Sequence, residues 1–96
     1  MKAYAIVDLD INDPDGYSKY PPLVLPLIRK HGGKITHRIS DFETMEGDWC
    51  PKRMLVIEFP GKSAAKAFLS DPDYQPIKEI RKKSATSLIA VGSSEM

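Results

Sequence analysis

Residues 2–11 alternate between two kinds of side chain, and this alternation limits the possible folds more than any other feature of the chain. One set is entirely apolar and consists of Ala3, Ala5, Val7, Leu9 and Ile11. The other set mixes polar and apolar side chains and consists of Lys2, Tyr4, Ile6, Asp8 and Asp10. A period of two is typical of a β-strand. The sequence therefore predicts a strand that packs one face against helices, while its second face is partly wet or lies in an interface.

The rest of the chain predicts helices and further strands in a definite order. Helical spacing of apolar residues runs from residue 14 to the stop signal HGG at 31–33, and three prolines predict a kink or break near Tyr20. Residues 34–39, 53–59 and 84–91 predict strands, and residues 63–70 and 72–83 predict helical segments. Two right-handed crossovers in the order β-α-β-β-α-β produce a four-stranded antiparallel sheet with both helices on one face. The predicted fold is α+β and ferredoxin-like.

This fold leaves one face of the sheet without helices, and we call it the open face. Its predicted side chains are Tyr4, Ile6, Asp8, Met54, Val56, Glu58 and Leu88. Much of this set is too apolar to remain in water, and two such faces packed together in a two-fold homodimer would bury it. The sequence therefore predicts a dimeric α+β barrel, built from a single domain at residues 1–92 with a polar tail at 93–96.

Charge and cysteine content restrict the partners and the compartment. The chain has 14 Lys and Arg residues against 13 Asp and Glu residues, and the basic residues are scattered. This balance argues against a nucleic-acid or membrane-surface partner, because both require concentrated positive charge. No segment approaches the roughly 20 apolar residues of a membrane span. The N-terminal segment becomes acidic after a few apolar residues, which is unlike a signal peptide. The single cysteine, Cys50, favours a reducing cytoplasm.

Seven short segments, taken in their order and spacing, resemble the DUF1330 family across nearly the whole chain. They are KAY at 2–4, DPDGYSKY at 13–20, HGGK at 31–34, EGDW at 46–49, PKRMLVIEFP at 51–60, SAAKAF at 63–68 and SDPDYQPI at 70–77. The resemblance implies the dimeric α+β barrel fold and leaves the activity undefined. The wider barrel group includes proteins similar to cofactor-independent monooxygenases, lactone isomerases and heme-handling enzymes. The chain departs from the family pattern at ISD (39–41), at Phe68–Leu69 and in the three prolines of the first helix.

Three residues are candidates for a catalytic role. Glu58 and Asp8 are predicted on neighbouring strands of the open face, where restricted water would raise the pKa of a carboxyl group and suit it to move protons near neutral pH. The alternative is structural: Glu58 would pair with Arg38, Arg53 or Arg81 and stabilise the dimer. His37 would carry protons if it faced the same cavity.

Six residues are candidates for ligand binding. They are Tyr4, Arg38, Trp49, Arg53, Tyr74 and Arg81. An arginine can hold the carboxylate of a ligand through two hydrogen bonds. These arginines could equally form ion pairs with Asp8 or Glu58. Trp49 could shape an apolar pocket, pack against a partner subunit or cover its hairpin. Two histidines and one cysteine at this spacing predict no metal site, and no cofactor is predicted.

These features support three hypotheses about function. The first is a homodimer with a pocket on the open face for a small organic molecule with a polar end. The second is a cofactor-independent enzyme, similar to an isomerase or monooxygenase, that uses a buried carboxylate. The third is a purely structural dimer with a filled interior. The sequence leaves open whether the protein is an enzyme.

Overall fold

The alternating segments form one antiparallel sheet in a computed structural model that describes residues 1–95. The elements in chain order are β1 (Ala3–Ile11), α1 (Pro14–Tyr17), α2 (Tyr20–Lys30), β2 (Lys34–Ser40), β3 (Arg53–Phe59), α3 (Lys62–Ser70), α4 (Tyr74–Ser84) and β4 (Ala85–Ser93). The strand order is β2-β3-β1-β4, and all three neighbouring pairs are antiparallel. The predicted α+β ferredoxin-like fold is confirmed.

The first predicted helical region is divided into α1 and α2, while α3 and α4 correspond to the two helical segments predicted later in the chain. Asp13 begins α1 by accepting a hydrogen bond from the Gly16 amide at 3.2 Å, and Pro14 follows as the first helical residue. The first helical region breaks between α1 and α2, directly before Tyr20, as the prolines predicted. Strand β4 continues to Ser93, which is the first residue of the predicted tail, and Met96 lies outside the described residues.

Strand β2 contains a bulge that decides which of its side chains reach each face. The pairing with β3 shifts between Ile35 and His37, so Thr36 is the additional residue. Beyond the shift, His37 and Ile39 share the open face with Val56 and Met54. Arg38 therefore turns to the opposite side of the sheet, which the helices cover.

The hydrophobic core lies between the sheet and the helices. Its buried strand residues include Ala5, Val7, Leu9, Ile57 and Phe59, and its buried helix residues include Tyr20, Val24, Ile28, Ala65, Phe68 and Tyr74. The Phe68 ring lies 4.6 Å from the Tyr74 ring and 5.8 Å from the Phe59 ring, measured between centroids. A Cβ atom on Gly33 would lie only 2.6 Å from Phe59, so this close approach of β2 requires glycine. None of the helices within residues 1–95 has the length and apolar character needed to cross a membrane.

Asp71 connects the end of α2 to the junction between α3 and α4. Its buried carboxylate accepts hydrogen bonds from His31 Nε2 at 2.8 Å and Lys30 Nζ at 3.0 Å, and its second oxygen accepts one from the Asp73 amide at 2.9 Å. These bonds, the one from His31 most of all, hold the pKa of Asp71 below its ordinary range. Because His31 is the C-cap residue of α2, its side-chain bond to Asp71 links the end of that helix to the α3–α4 junction.

We expect Asp71→Asn to lower stability at neutral pH, with an effect that shrinks in acid. A carboxyl whose pKa is lowered by folding stabilises the protein above its unfolded-state pKa of about 3.9, and this contribution is lost as the pH falls below that value. Urea unfolding at pH 7, 5 and 3 would measure the difference between wild type and variant. Asp73→Asn is the matched control, because Asp73 is exposed and approaches Lys30 only to 3.8 Å. A difference that stays constant with pH would contradict this account.

Candidate functional site

A cavity of about 320 Å³ lies between the sheet and the helices, and we call it the helix-side cavity. Its apolar wall includes Val24, Leu25, Ile28, Leu55, Ile57 and Phe68. Its polar side chains are Tyr17, Tyr20, Arg38, Ser40, Arg53, Tyr74 and Arg81. Among the residues that the structure describes, no carboxylate lines this cavity. The cavity is therefore an apolar space with a positively charged part.

Arg81 is the most unusual side chain of the cavity. It is buried, with only 7% of its surface exposed, because it follows Tyr74 by two helical turns on the inward side of α4. One terminal nitrogen donates a hydrogen bond to the Ser87 hydroxyl, whereas the Nε–H has no partner within residues 1–95. A buried guanidinium without a carboxylate is costly, since burial removes the water that would solvate its charge.

Arg38 and Arg53 add two further cations at the exposed edge of the cavity. They lie on neighbouring strands, because Arg38 is opposite Leu55 and Ser40 is opposite Arg53 in the register of β2 and β3. Neither guanidinium belongs to an ion pair within the described part of the chain. Burial raises the pKa of Tyr17. The positive charges of Arg53, Arg81 and Arg38 act in the opposite direction and reduce this rise. The arginines and Tyr17 thus share one electrostatic environment.

Two tyrosines form a buried hydroxyl pair in the wall of the cavity. The Tyr20 and Tyr74 oxygens are 2.8 Å apart, and either hydroxyl can be the donor. Burial, reinforced by the neighbouring Tyr74, raises the pKa of Tyr20 well above its ordinary value. The Tyr20 hydroxyl therefore stays protonated at neutral pH and acts as a hydrogen-bond group.

The predicted carboxylates Asp8 and Glu58 lie on the open face. They are far apart, and the partners of Glu58 differ from those expected. Glu58 is opposite Tyr4 and Asp8 is opposite Met54, which separates the two acids by about 13 Å along β1. Glu58 pairs with Lys2 at 3.1 Å and Lys34 at 3.9 Å, so in the single chain its partners are lysines and not an arginine. The hydrogen bond from Lys2 lowers the pKa of Glu58, with smaller effects from Lys34 and Tyr4. The predicted rise is therefore also wrong for the single chain.

Trp49 and His37 lie on the same side of the sheet as these acids. The Trp49 indole N–H donates to Asp8 Oδ2 at 3.1 Å, while 63% of the Trp49 surface remains exposed. His37 is exposed and contacts the Thr36 hydroxyl at 3.1 Å. In residues 1–95, no group of three or more His, Cys, Asp or Glu side chains is placed to bind a metal ion.

The structure divides the candidate residues between the two sides of the sheet. Arg38, Arg53, Tyr74 and Arg81 line the helix-side cavity, and the other candidates, Tyr4, Asp8, His37, Trp49 and Glu58, belong to the open face. The pocket predicted on the open face stays a prediction, because two subunits would form it, whereas the cavity formed by the single chain lies on the helix side of the sheet.

Sequence reasoning missed the roles of two cavity residues and of one partner of Arg81. Tyr17 and Tyr20 line the cavity, and Ser87 accepts a hydrogen bond from Arg81, but none of the three was a candidate site residue. The burial of Arg81 did have a signal in the sequence. Tyr74, Ile77 and Arg81 are spaced by three and four residues, which puts an arginine on an otherwise inward helix face.

The fold and the exposed opposite face define the protein as a ferredoxin-like α+β domain. Residues 2–93 match the family described as "Domain of unknown function (DUF1330)", and the chain belongs to that family. The resemblance seen in the sequence is thus confirmed. The comparison with curated proteins gave no match.

Solved structures with the same fold include proteins of different description. A protein of unknown function from Rhodopseudomonas palustris is 17% identical, with 99% of this chain and 83% of that chain covered and a TM-score of 0.79. A dimeric ferredoxin-like protein of unknown function from Jannaschia is 14% identical, with 98% and 100% covered and a TM-score of 0.71. SnoaB, a cofactor-independent oxygenase from Streptomyces nogalater, is 10% identical, with 99% and 94% covered and a TM-score of 0.69. Identities this low show a shared fold alone.

Proposed function

We propose that the protein is a homodimer whose subunits each bind a small organic anion with an apolar body in the helix-side cavity. The observation that carries the proposal is the buried Arg81 guanidinium, which lines the cavity and whose Nε–H has no partner among residues 1–95. This proposal retains the predicted ligand class, a small organic molecule with a polar end, and specifies that end as a carboxylate.

The charge of the cavity supports an anionic ligand. A buried, unpaired cation destabilises the folded protein, so its retention is easiest to understand if a ligand supplies the missing negative charge. A carboxylate would accept a charge-assisted hydrogen bond from the Arg81 guanidinium. Arg38 and Arg53, which are exposed and without ion pairs in the described chain, would attract the anion toward the cavity.

The remaining wall supports an apolar ligand body. Aliphatic and aromatic side chains from α2, α3 and the sheet surround most of the space. Its volume of about 320 Å³ lies within the range of small-molecule sites, which is about 300–1,000 Å³. A cavity of this size in one subunit also favours a binding role over the purely structural alternative.

The cavity lining supports binding more directly than proton-transfer chemistry. Within residues 1–95, its walls contain no carboxylate, imidazole or thiol that could act as a general base, and burial keeps Tyr20 protonated. The catalytic candidates Asp8, Glu58 and His37 lie on the other face of the sheet. The relation to SnoaB is one of fold and supplies no residue for the enzyme alternative.

Exposed apolar side chains on the open face support the homodimer. Ile6 is 39% exposed, Ile39 is 40% exposed and Leu88 is 72% exposed in the single chain. Ferredoxin-like proteins from Jannaschia, Bacteroides fragilis and Thermobifida fusca with the same fold are described as dimeric. Two copies of this chain packed through their open faces would bury these side chains together with Trp49.

Calorimetric titration with phenylbutanoate and with its amide tests the ligand class. We expect the acid to bind at least about tenfold more tightly, because only the carboxylate forms a charge-assisted bond with Arg81. The variant Arg81→Met should lose the preference for the acid. Arg29→Met is its matched control, since Arg29 is exposed on α2 and does not line the cavity. Equal affinities for acid and amide, or no saturable binding of either, would contradict the proposal.

A further inference from the structure

The hydroxyl pair of Tyr20 and Tyr74 contains one more proton than it uses. Each hydroxyl has one O–H donor, and the bond between them consumes only one of the two protons. Neither hydroxyl makes another hydrogen bond within the described residues. Because both rings are buried, with 8% and 1% of their surfaces exposed, the second proton is also shielded from bulk water. A buried donor without an acceptor is unfavourable, so an acceptor is expected beside it.

Both tyrosines line the helix-side cavity, and this limits where the acceptor can lie. A ligand in this cavity would therefore lie beside the two tyrosines. The acceptor cannot be a protein carboxylate, because none lines the cavity in the described chain. Since neither hydroxyl bonds any other protein group in the described chain, we infer that the acceptor is an oxygen of the ligand, or water in its place.

The distance between the pair and Arg81 determines where that oxygen lies on the ligand. Tyr74 precedes Arg81 by seven residues on α4, which is about 10 Å along the helix axis. Both side chains lean back toward the start of the helix, so their leaning leaves this separation largely unchanged. A ligand whose carboxylate binds Arg81 must therefore span several ångströms to reach the tyrosines. An oxygen on the carbon next to the carboxylate lies too near the carboxylate to span that distance.

We propose that the ligand is an oxo acid whose carbonyl oxygen lies three or more bonds from its carboxylate, with the carboxylate on Arg81 and the carbonyl oxygen on the Tyr20–Tyr74 pair. This inference rests on the proposed function and adds a second recognition point to it. The pair is neutral and donates one hydrogen bond, so it selects a carbonyl or similar acceptor and disfavours a methylene at that position.

The test compares phenylbutanoate with its α-oxo and γ-oxo analogues by calorimetric titration. We expect the γ-oxo acid to bind about three- to tenfold more tightly than phenylbutanoate, as one added neutral hydrogen bond allows. The α-oxo acid gains no such advantage. In the double variant Tyr20→Phe/Tyr74→Phe, the ratio of the γ-oxo and parent affinities falls to about one or below. The double variant leaves no unpaired hydroxyl, because each tyrosine is the other's only hydrogen-bond partner among the described residues.

The outcomes distinguish this inference from the proposed function. If phenylbutanoate binds but the γ-oxo acid has no advantage, the inference is overturned, water serves as the acceptor and the anion site stands. If the advantage persists in the double variant, another group donates the bond and the inference is again overturned. If none of the acids binds, both proposals fail. The Tyr4→Phe variant is the control and retains the ratio, since Tyr4 lies on the open face beside Glu58.

Discussion

We expect the substitution Arg81→Met to stabilise the protein while it removes most of its affinity for carboxylates. Methionine has a similar length and no charge, so the cost of the buried, unpaired guanidinium disappears. Replacing buried ionic groups with apolar residues of similar volume is neutral or stabilising by about 1–4 kcal/mol. The loss of the charged partner should cost about 2–5 kcal/mol of binding energy, which is at least thirtyfold in affinity. Arg81 is suited to a test that separates stability from binding, because it is 7% exposed and has no ion pair within residues 1–95.

Thermal unfolding and titration with phenylbutanoate, performed on the same samples, would measure both effects. The Arg29→Met variant controls for the loss of one positive charge at an exposed site. The hydroxyl of Ser87, which loses its donor, is half-buried and can reach water. If Arg81→Met lowered the melting temperature and left carboxylate affinity unchanged, the arginine would be a structural group and the anion site would be lost.

We expect the substitution Ile6→Lys to convert the proposed dimer into a folded monomer. Ile6 lies at the centre of the open face, opposite Val56 on β3 and Ala90 on β4. It is 39% exposed in the single chain, so a lysine there can reach water without disturbing the helix side of the sheet. In the dimer the same lysine would be buried without a partner, at a cost of several kcal/mol. The dissociation constant should therefore rise at least roughly a hundredfold.

Sedimentation velocity over a range of protein concentrations would follow the change in mass. Leu23→Lys is the matched control, because Leu23 is 46% exposed on α2, away from the open face. A wild-type protein that sediments as a monomer, or an Ile6→Lys variant that remains dimeric, would remove the open face as the interface. Circular dichroism would establish that the variant stays folded.

The two substitutions test opposite sides of one sheet. Arg81 belongs to the helix-side cavity and Ile6 to the open face, and β1 and β3 lie between them. We expect their effects on binding and on assembly to be nearly independent, as is usual for distant sites without shared partners.

The sequence predicted the sheet well because its signals are local. The two faces of β1 follow from the period of two alone, and the register Tyr4 opposite Glu58 confirms that Tyr4, Asp8 and Glu58 share one face. The break before Tyr20 follows from the missing amide protons and the steric demands of proline, which do not depend on the rest of the fold.

The site was predicted only in part because its geometry depends on distant contacts. Lys2 is 56 residues from Glu58 in the chain, and only the pairing of β1 with β3 brings its ammonium group to the carboxylate. The sequence identified Arg81 as a possible anion-binding residue, but considered Asp8 and Glu58 as its partners. Those acids lie on the other face of the sheet, so the guanidinium is left without either of them.

By itself, the sequence determined the order of elements, the faces of β1 and β3 and the family, because each depends on residue types at short, regular spacing. Only the tertiary structure decided that a cavity of about 320 Å³ lies beneath the helices. A void depends on how completely side chains from α2, α4 and the sheet fill the space between them. Packing of this kind is a sum of many long-range contacts, and periodicity along the chain contains no measure of it.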